Sequence, residues 1–423
     1  MHHNIPLIST IAVALVYGLI LGLLAVRLRM PPLIGYLLAG VLVGPFTPGF
    51  VADAALAPQL AEIGVILLMF GVGMHFSLKD LLAVRNIALP GAILQITVAT
   101  LMGVGLARLW GWPLGAGLVF GLALSVASTV VLLRALEARN ALDSEGGRIA
   151  VGWLIVEDLV MVVVLVLLPA LAPALGGKAA QAGDGATAAA AAGGLGMALV
   201  VTLGKVAAFV AVMLVAGARA LPWLLSRVED TGSRELFTLC VSAIALGVAY
   251  GSGLLFGVSF ALGAFFAGIV VNTSDYSRRA ARELQPLQDA FSVLFFVSVG
   301  MLFDPSILLR EPIRVLLVLA VIVVGKSVAA LGLVLALRRP PETALLISAS
   351  LAQIGEFSFI LASLGLSLGL LSKEGQSLVL AGSLLSIMLN TPVFALVSRI
   401  RQQEQATHEA PDEKPEEVVA AAP

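Results

Sequence analysis

The feature that most constrains the fold of this chain is a series of apolar runs as long as a membrane-spanning helix. The run 149–171, for example, contains only two charged residues, Glu157 and Asp158. A helix of about 20 apolar residues crosses the hydrocarbon core of a bilayer. The chain is 59% apolar and 12% charged, whereas a soluble domain is about 45–50% apolar and about 25% charged. The sequence therefore predicts an all-α polytopic membrane protein surrounded by membrane lipid.

Polar, proline and glycine breaks divide the apolar runs into 13 predicted helices. The first is interpreted as a retained helix, because its flanks lack the basic region and cleavage site of a signal peptide. The predicted helices are 7–26, 32–44, 59–76, 87–109, 114–136, 149–171, 195–218, 235–252, 258–271, 287–303, 314–337, 343–370 and 375–400.

The basic residues predict the direction of these helices. Of the 25 Lys and Arg residues, 18 fall on one side of the predicted membrane and five on the other, while Lys205 and Lys326 lie inside helices. Loops rich in Lys and Arg stay in the cytoplasm. We therefore expect a multi-pass protein of the cell inner membrane with its amino terminus outside and its carboxyl terminus in the cytoplasm.

The two halves of the chain resemble each other at an almost constant spacing. Each pair of similar segments is seven predicted helices apart, and an odd shift reverses direction through the membrane. The sequence therefore predicts two inverted repeats, a design of many secondary transporters, with 195–218 as an unpaired connector. The similar segments are 35–40 and 263–268, 67–76 and 294–303, and 125–128 and 350–353.

Polar side chains concentrate near the centres of four predicted helices. A charged group at the bilayer centre costs roughly 2.5 kcal/mol or more, so such residues are functional candidates. In helices five and twelve they occupy equivalent repeat positions and can break the helix, which points to a binding site. The alternative is that Ser and Thr bond within intact helices. The candidate residues are Ser125, Ser128, Thr129, Glu157, Asp158, Lys326, Gln353 and Glu356.

The acidic pair predicts a site at which a proton and a small cation exchange. Glu157 and Asp158 point about 100° apart on a helix, so they cannot face one cavity equally, and the residues alone favour neither. Lys326 is the expected counter-charge, and a static structural ion pair is the alternative. Burial favours a protonated carboxyl group and a nearby ammonium favours an ionised one. A carboxylate between these influences can bind a proton or a small cation in turn, which gives antiport.

Several other functions are not expected. The net charge of −1 does not favour nucleic acid, and the single cysteine, Cys240, excludes an internal disulfide. No metal-ligand spacing, nucleophile elbow or phosphate-binding glycine loop appears. We therefore expect no enzyme activity and no cofactor.

The motifs resemble the cation:proton antiporter-2 family, Kef-type branch, over about residues 4–400. They include PPLIGYLLAGVLVGP, LLMFGVGMHF, LSVASTVVLLRALE, GWLIVEDL, LFFVSVGM and LAQIGEFSFIL. The resemblance implies a sodium/proton-antiporter-like fold in which helices five and twelve are unwound and cross. It implies a homodimer that exchanges K⁺ or Na⁺ for protons by an elevator-like movement. It also implies that Asp158 is the essential carboxylate and Lys326 the conserved basic residue of the family.

The resemblance divides the chain into functional segments. It implies a dimerisation domain and a core that holds the ion site, while composition indicates the linker and the tail, and the repeat indicates the connector. The dimerisation helices are 1–86 and 235–303, the core helices are 87–171 and 314–400, the external Gly/Ala-rich linker is 172–194, the connector is 195–218 and the acidic disordered tail is 401–423.

Two departures from the family pattern qualify the expectation. Kef-type proteins usually continue into a cytosolic nucleotide-binding domain, which this chain does not contain, so no nucleotide is expected to bind it. The pair Glu157-Asp158 differs from the Asp-Asp, Asn-Asp or Gln-Asp of relatives, which leaves the stoichiometry open. The alternatives are a ligand-gated potassium efflux system with channel-like behaviour, a transport-dead sensor or scaffold, and an organic-anion symporter.

Overall fold

The structure is a computed structural model that describes residues 6–28, 30–47, 56–75, 78–137, 139–142, 144–178, 197, 200–201 and 203–408. We number its helices α1 to α16. They are α1 (Pro6–Arg27), α2 (Pro32–Val43), α3 (Ala57–His75), α4 (Leu78–Leu109), α5 (Leu114–Ser125), α6 (Thr129–Glu137), α7 (Glu145–Leu171), α8 (Leu203–Glu229), α9 (Arg234–Phe256), α10 (Phe260–Asn272), α11 (Ser277–Met301), α12 (Ile307–Arg310), α13 (Pro312–Ala336), α14 (Pro341–Leu351), α15 (Glu356–Ser367) and α16 (Lys373–His408).

The helices of the described residues have the lengths of a membrane protein. Eight are long and apolar enough to cross a membrane, and α14 with α15 forms a ninth span that is bent by 42°. Four shorter apolar helices, α2, α3, α5 and α10, need neighbouring helices to cover their ends. The all-α polytopic class is confirmed, while the number of 13 spans stays a prediction.

Two predicted spans are broken near their centres, as the polar residues indicated. Helix α5 ends at Ser125 and α6 begins at Thr129, and α14 ends at Leu351 while α15 begins at Glu356. The predicted helices 114–136 and 343–370 are therefore each two half-helices. Discontinuous helices are confirmed at equivalent positions of the two repeats.

The limits of some elements differ from the sequence prediction because charged turns extend the helices beyond their apolar runs. Helix α8 continues to Glu229 and not to 218, and α11 begins at Ser277 and not at 287. Helix α16 continues to His408, so 401–408 of the expected disordered tail are helical. Hydropathy identifies the part of a helix within the bilayer, not its polar extension. Residues 409–423 lie outside the described residues.

The expected external linker begins with an ordered turn. Residues 172–178 follow α7, and the backbone N–H of Lys178 donates to the carbonyl of Leu368 at 2.6 Å. This contact ties the start of the linker to the end of α15. The expectation of a flexible linker over 179–194 falls on residues outside the described part of the chain.

The helices pack in two groups. The scaffold group consists of α1–α3 and α9–α11, in which α3 packs against both α10 and α11. The site group consists of α4–α7 and α13–α16, in which α4 packs against α5, α7 and α13. Helix α8 packs on α9 and α10, beside the scaffold group.

Glycine contacts within the scaffold group display the inverted repeat. A Cβ on Gly40 of α2 would lie 2.7 Å from the Cα of Gly300 on α11. A Cβ on Gly268 of α10 would lie 3.0 Å from the Cα of Gly73 on α3. Gly40 corresponds to Gly268 and Gly73 to Gly300 in the repeat motifs. The two close crossings are therefore equivalent, and each needs a residue without a side chain.

Candidate ion site

The site is built where the two broken spans cross. The side chain of Gln353 donates to the carbonyl of Ser128 at 3.1 Å and accepts from the N–H of Ser128 at 2.9 Å. The N–H of Gly355 donates to the carbonyl of Val126 at 3.3 Å. A Cβ on Gly355 would lie 2.5 Å from the Cα of Ser128, so glycine is required by this close approach. These contacts satisfy backbone groups that each break removes from its helix.

The crossing places four helix ends at one point. The amino ends of α6 and α15 carry partial positive charge, and the carboxyl ends of α5 and α14 carry partial negative charge. At the start of α6, the Oγ of Ser128 accepts from the N–H of Val131 at 3.3 Å. At the end of α14, the ammonium of Lys326 donates to the carbonyl of Gln353 at 2.9 Å. Buried polar side chains therefore compensate both ends.

Glu157 and Asp158 turn to different neighbours, as their helical spacing requires. Glu157 is fully buried, and its Oε2 accepts from the N–H of Ala127 at 2.8 Å. Asp158 is 7% exposed and lines a cavity of about 790 Å³. Its Oδ2 accepts from the hydroxyl of Thr129 at 3.3 Å, while its Oδ1 has no partner among the described residues. Asp158 is thus the member of the pair with space beside it.

Glu356 brings a second carboxylate to the same cavity. It is the first residue of α15, is 3% exposed, and lines the cavity together with Asp158 and Thr129. Its Oε2 has no partner within the described residues. Glu356 also repels an ionised Asp158 electrostatically. Two buried carboxylates with free oxygens at one cavity form a set of hard oxygen ligands that suits a small cation or protons.

Lys326 interacts electrostatically with Glu157, and its hydrogen bond goes to the carbonyl of Gln353. It is fully buried, and Glu157 is the carboxylate that acts on its charge. The sequence led us to expect Lys326 to be the counter-charge of the acidic pair, and the structure places it on the Glu157 side. A π-helical turn, Val321–Gly325, immediately precedes it in α13. Such turns are frequent at functional sites because they change the direction of the following side chain.

Ser125 is close to the crossing but does not line the cavity. Its hydroxyl donates to the carbonyl of Leu122 at 2.8 Å. Its carbonyl accepts from the side chain of Gln95 at 2.7 Å. Ser125 therefore ends α5, while Thr129 at the start of α6 reaches the cavity.

Three buried polar residues of the site were missed by the sequence analysis. Gln95 on α4 bonds the end of α5, and Asn390 on α16 donates to the carbonyl of Ala349 on α14 at 3.1 Å. Ser383 on α16 donates to the carbonyl of Ile354 at 3.5 Å. Each is an uncharged polar residue within a largely apolar run, and that signal was available. It is weak because such residues also bond within their own helix.

Two cavities lie between the scaffold and site groups. The first, with Asp158, is lined by α2, α3, α10 and α11 on one side and by α6, α7 and α15 on the other. The second has about 530 Å³ and includes Glu62, Val299 and Ile360. Along α15, Phe359 lies between Glu356 of the first cavity and Ile360 of the second. Its ring is 6.3 Å from that of Phe296 on α11, which lines the first cavity.

Crossed broken helices, inverted repeats and buried carboxylates beside a cavity define a secondary transporter. Residues 11–399 match the family described as sodium/hydrogen exchanger, transmembrane. The chain belongs to this family, and the resemblance seen in its motifs is confirmed.

Similar proteins agree with this assignment. YbaL of Escherichia coli K12, a candidate cation/proton antiporter, is 60% identical over 98% of this chain and 73% of its own length. K(+) efflux antiporter 4 of Arabidopsis thaliana is 32% identical over 94% of this chain and 65% of its own length. The sodium proton antiporter MjNhaP1 of Methanocaldococcus jannaschii has a similar structure, with a TM-score of 0.66 and 17% identity over 93% of this chain and 98% of its own. The sodium/proton-antiporter-like fold is thereby confirmed.

Proposed function

We propose that this protein exchanges a monovalent cation, K⁺ or Na⁺, for protons across the inner membrane, and that the two compete for Asp158. The observation that carries the proposal is the unpartnered Oδ1 of a buried Asp158 that faces a cavity. The family assignment and the antiporter names of similar proteins support the same activity.

In this proposal, some of the carboxylates bind ions and another stabilises the structure. Asp158 binds the cation or the proton, and Glu356 and Thr129 supply further oxygen ligands from the same cavity. Glu157 and Lys326 hold the broken helices in place, since their hydrogen bonds go to backbone groups at the crossing. A cation displaces the protons because both need the same oxygens, so no second ion site is required.

The transport movement that we propose is a displacement of the site group against the scaffold group. Both cavities lie between these groups, which supports an elevator-like change of access from one cavity to the other. With the predicted topology, the cavity of Asp158 opens toward the cytoplasm. The two separate cavities support a carrier in preference to the channel-like alternative.

A homodimer in the inner membrane is part of the proposal. Helix α1 of the scaffold group exposes Leu19, Ile20 and Leu23, an apolar face that a partner scaffold or lipid can cover. A measurement of molecular mass in detergent, with the detergent contribution subtracted, tests this part. A monomer at all protein concentrations would contradict it.

The activity is tested with purified protein in liposomes that contain a pH-sensitive dye. Addition of K⁺, Na⁺, Li⁺ or Rb⁺ to the outside is expected to move protons in the wild-type protein and in Glu137→Gln, which removes an exposed carboxylate at the end of α6. Asp158→Asn is expected to abolish this movement. Cation-dependent proton movement in Asp158→Asn at wild-type rates would overturn the role of Asp158. An absence of movement in the wild-type protein with all four cations would overturn the proposed function.

A further inference from the structure

At each break, a backbone carbonyl accepts from a buried side chain of the helix that precedes the broken span. In the second repeat, Lys326 of α13 donates to the carbonyl of Gln353 at 2.9 Å. In the first repeat, Gln95 of α4 donates to the carbonyl of Ser125 at 2.7 Å. Helix α4 corresponds to α13, although the two acceptors are not equivalent residues, because Ser125 corresponds to Ser350 and Gln353 to Ser128 in the repeat. Both are almost completely buried, with 0% exposure for Lys326 and 1% for Gln95.

The two donors differ in charge. The carboxyl end of a helix carries roughly half a negative elementary charge. The ammonium of Lys326 offsets this charge at α14, whereas the neutral amide of Gln95 leaves it in place at α5. The Oε1 of Gln95 is buried and has no partner within the described residues.

The end of α5 is connected to the proposed cation site by a short segment. Residues 126–128 join Ser125 to Thr129, and the hydroxyl of Thr129 donates to Asp158 at 3.3 Å. Glu157 and Gln353 bond the backbone of this segment at Ala127 and Ser128. A donor that holds Ser125 therefore fixes one end of the segment that positions Thr129.

We propose that Gln95 is a positioning residue for the cation site, and that its neutrality keeps the negative potential of the α5 end available to the bound cation. This inference rests on the proposed function. It assigns Gln95 a hydrogen bond to the backbone at the first break, as Lys326 has at the second, without the charge. The affinity for the cation is then expected to depend on the charge at residue 95 as well as on the hydrogen bond.

A charge series at residue 95 tests the inference. A unit charge about 10 Å from a cation, at an effective dielectric constant of about 20, changes affinity roughly tenfold. Gln95→Lys keeps a donor and is expected to raise the KM for the transported cation about tenfold at an unchanged maximal rate. Gln95→Glu is expected to lower the KM. Gln95→Met lacks both charge and donor, and is expected to lower the maximal rate while it changes the KM less than Gln95→Lys.

The measurement is the initial rate of proton movement in liposomes as a function of K⁺ and Na⁺ concentration, normalised to the amount of folded protein by size-exclusion chromatography. If Gln95 acts only through its hydrogen bond, Gln95→Lys will behave as the wild type and the inference is overturned. If Gln95→Lys does not fold, the KM of Gln95→Glu relative to Gln95→Met decides the question, and equal values overturn it. Failure of the wild-type protein to exchange any cation would instead refute the proposed function.

Discussion

The two broken spans share one backbone plan but differ in the charges around them. The first span, α5 and α6, has the carboxylates Glu157 and Asp158 beside it on α7. The second span, α14 and α15, carries Glu356 itself and has uncharged Ser383 beside it on α16. The comparison shows that the inverted repeat provides a symmetric backbone frame, in which the charged side chains are placed asymmetrically. Within the part of the chain that the structure describes, only the first span has a helix with an acidic pair next to its break.

In the proposed mechanism, this asymmetry limits the repulsion between carboxylates at the crossing. A symmetric site with an acidic pair in both repeats would place four carboxylates at one crossing, and their mutual repulsion would keep some of them protonated. With the observed residues, Lys326 balances Glu157, and Asp158 and Glu356 share the cavity. In the proposed mechanism, Glu157 and Lys326 stabilise the structure, and Asp158 and Glu356 bind ions.

The largest expected effect comes from a substitution on α7, the acidic helix beside the first broken span. Asp158→Asn is expected to remove all cation-dependent proton movement, because the amide cannot exchange a proton or neutralise a cation. Ser383→Ala, at the neighbouring helix of the other repeat, is expected to retain more than about half of the activity, since a long hydrogen bond contributes about 1 kcal/mol or less. Liposome assays of both variants measure the difference. Equal losses in the two variants would contradict a functional asymmetry.

The second prediction concerns the crossing itself. Gly355→Ala introduces a Cβ 2.5 Å from the Cα of Ser128, and a backbone atom there cannot move without separating the two spans. We expect a loss of folded protein of several-fold, from overpacking of at least about 1–3 kcal/mol. Gly105→Ala on α4 is the matched control, because a Cβ there has no heavy atom within 4 Å. The yield of monodisperse protein after extraction in detergent measures both. Normal yield of Gly355→Ala would show that the spans do not cross this closely.

The third prediction tests the side chain that joins the two spans. Gln353→Leu leaves the N–H and the carbonyl of Ser128 without their bonds from residue 353. An unsatisfied buried group costs about 1–3 kcal/mol, so thermal unfolding in detergent is expected several degrees below that of the wild type. Gln376→Leu, which removes a single 3.3 Å bond to Ser363 on α15, is expected to have a smaller effect. The reverse order would indicate that Gln353 does not hold the crossing.

The smallest expected effect concerns an aromatic contact beside the first cavity, which we expect to limit leakage toward the second. Phe296→Ala removes a ring that lines the first cavity and contacts Phe359. We expect a slow proton leak without added cation, and a roughly two- to fivefold lower coupling of cation to proton movement. Phe296→Leu retains most of the apolar volume and should restore coupling. Dye-loaded liposomes without alkali cations measure the leak, and tight coupling in Phe296→Ala would place the barrier elsewhere.

Much of the fold could be predicted from the sequence, and the reasons are local. Apolar runs around 149–171 and elsewhere identify spans by length alone. The paired motifs with Gly40 and Gly268 predicted the inverted repeat, because a close helix crossing requires glycine in each copy. Polar residues such as Ser128 and Gln353 located both breaks, since they compete with the helix for backbone bonds. The limits of α8 and α11 were less accurate, as their polar ends have no hydropathy signal.

By itself the sequence determined the class of protein, its repeat, its two interrupted spans and its family. Only the tertiary structure decided that Glu157 bonds Ala127 while Asp158 faces the cavity, and that Lys326 belongs to Glu157. It also revealed Gln95 as the donor at the end of α5. Hydropathy and helix breaks are properties of neighbouring residues along the chain. The partner of a buried polar group depends on which distant helix packs against it, and that is decided by the packing of the whole molecule.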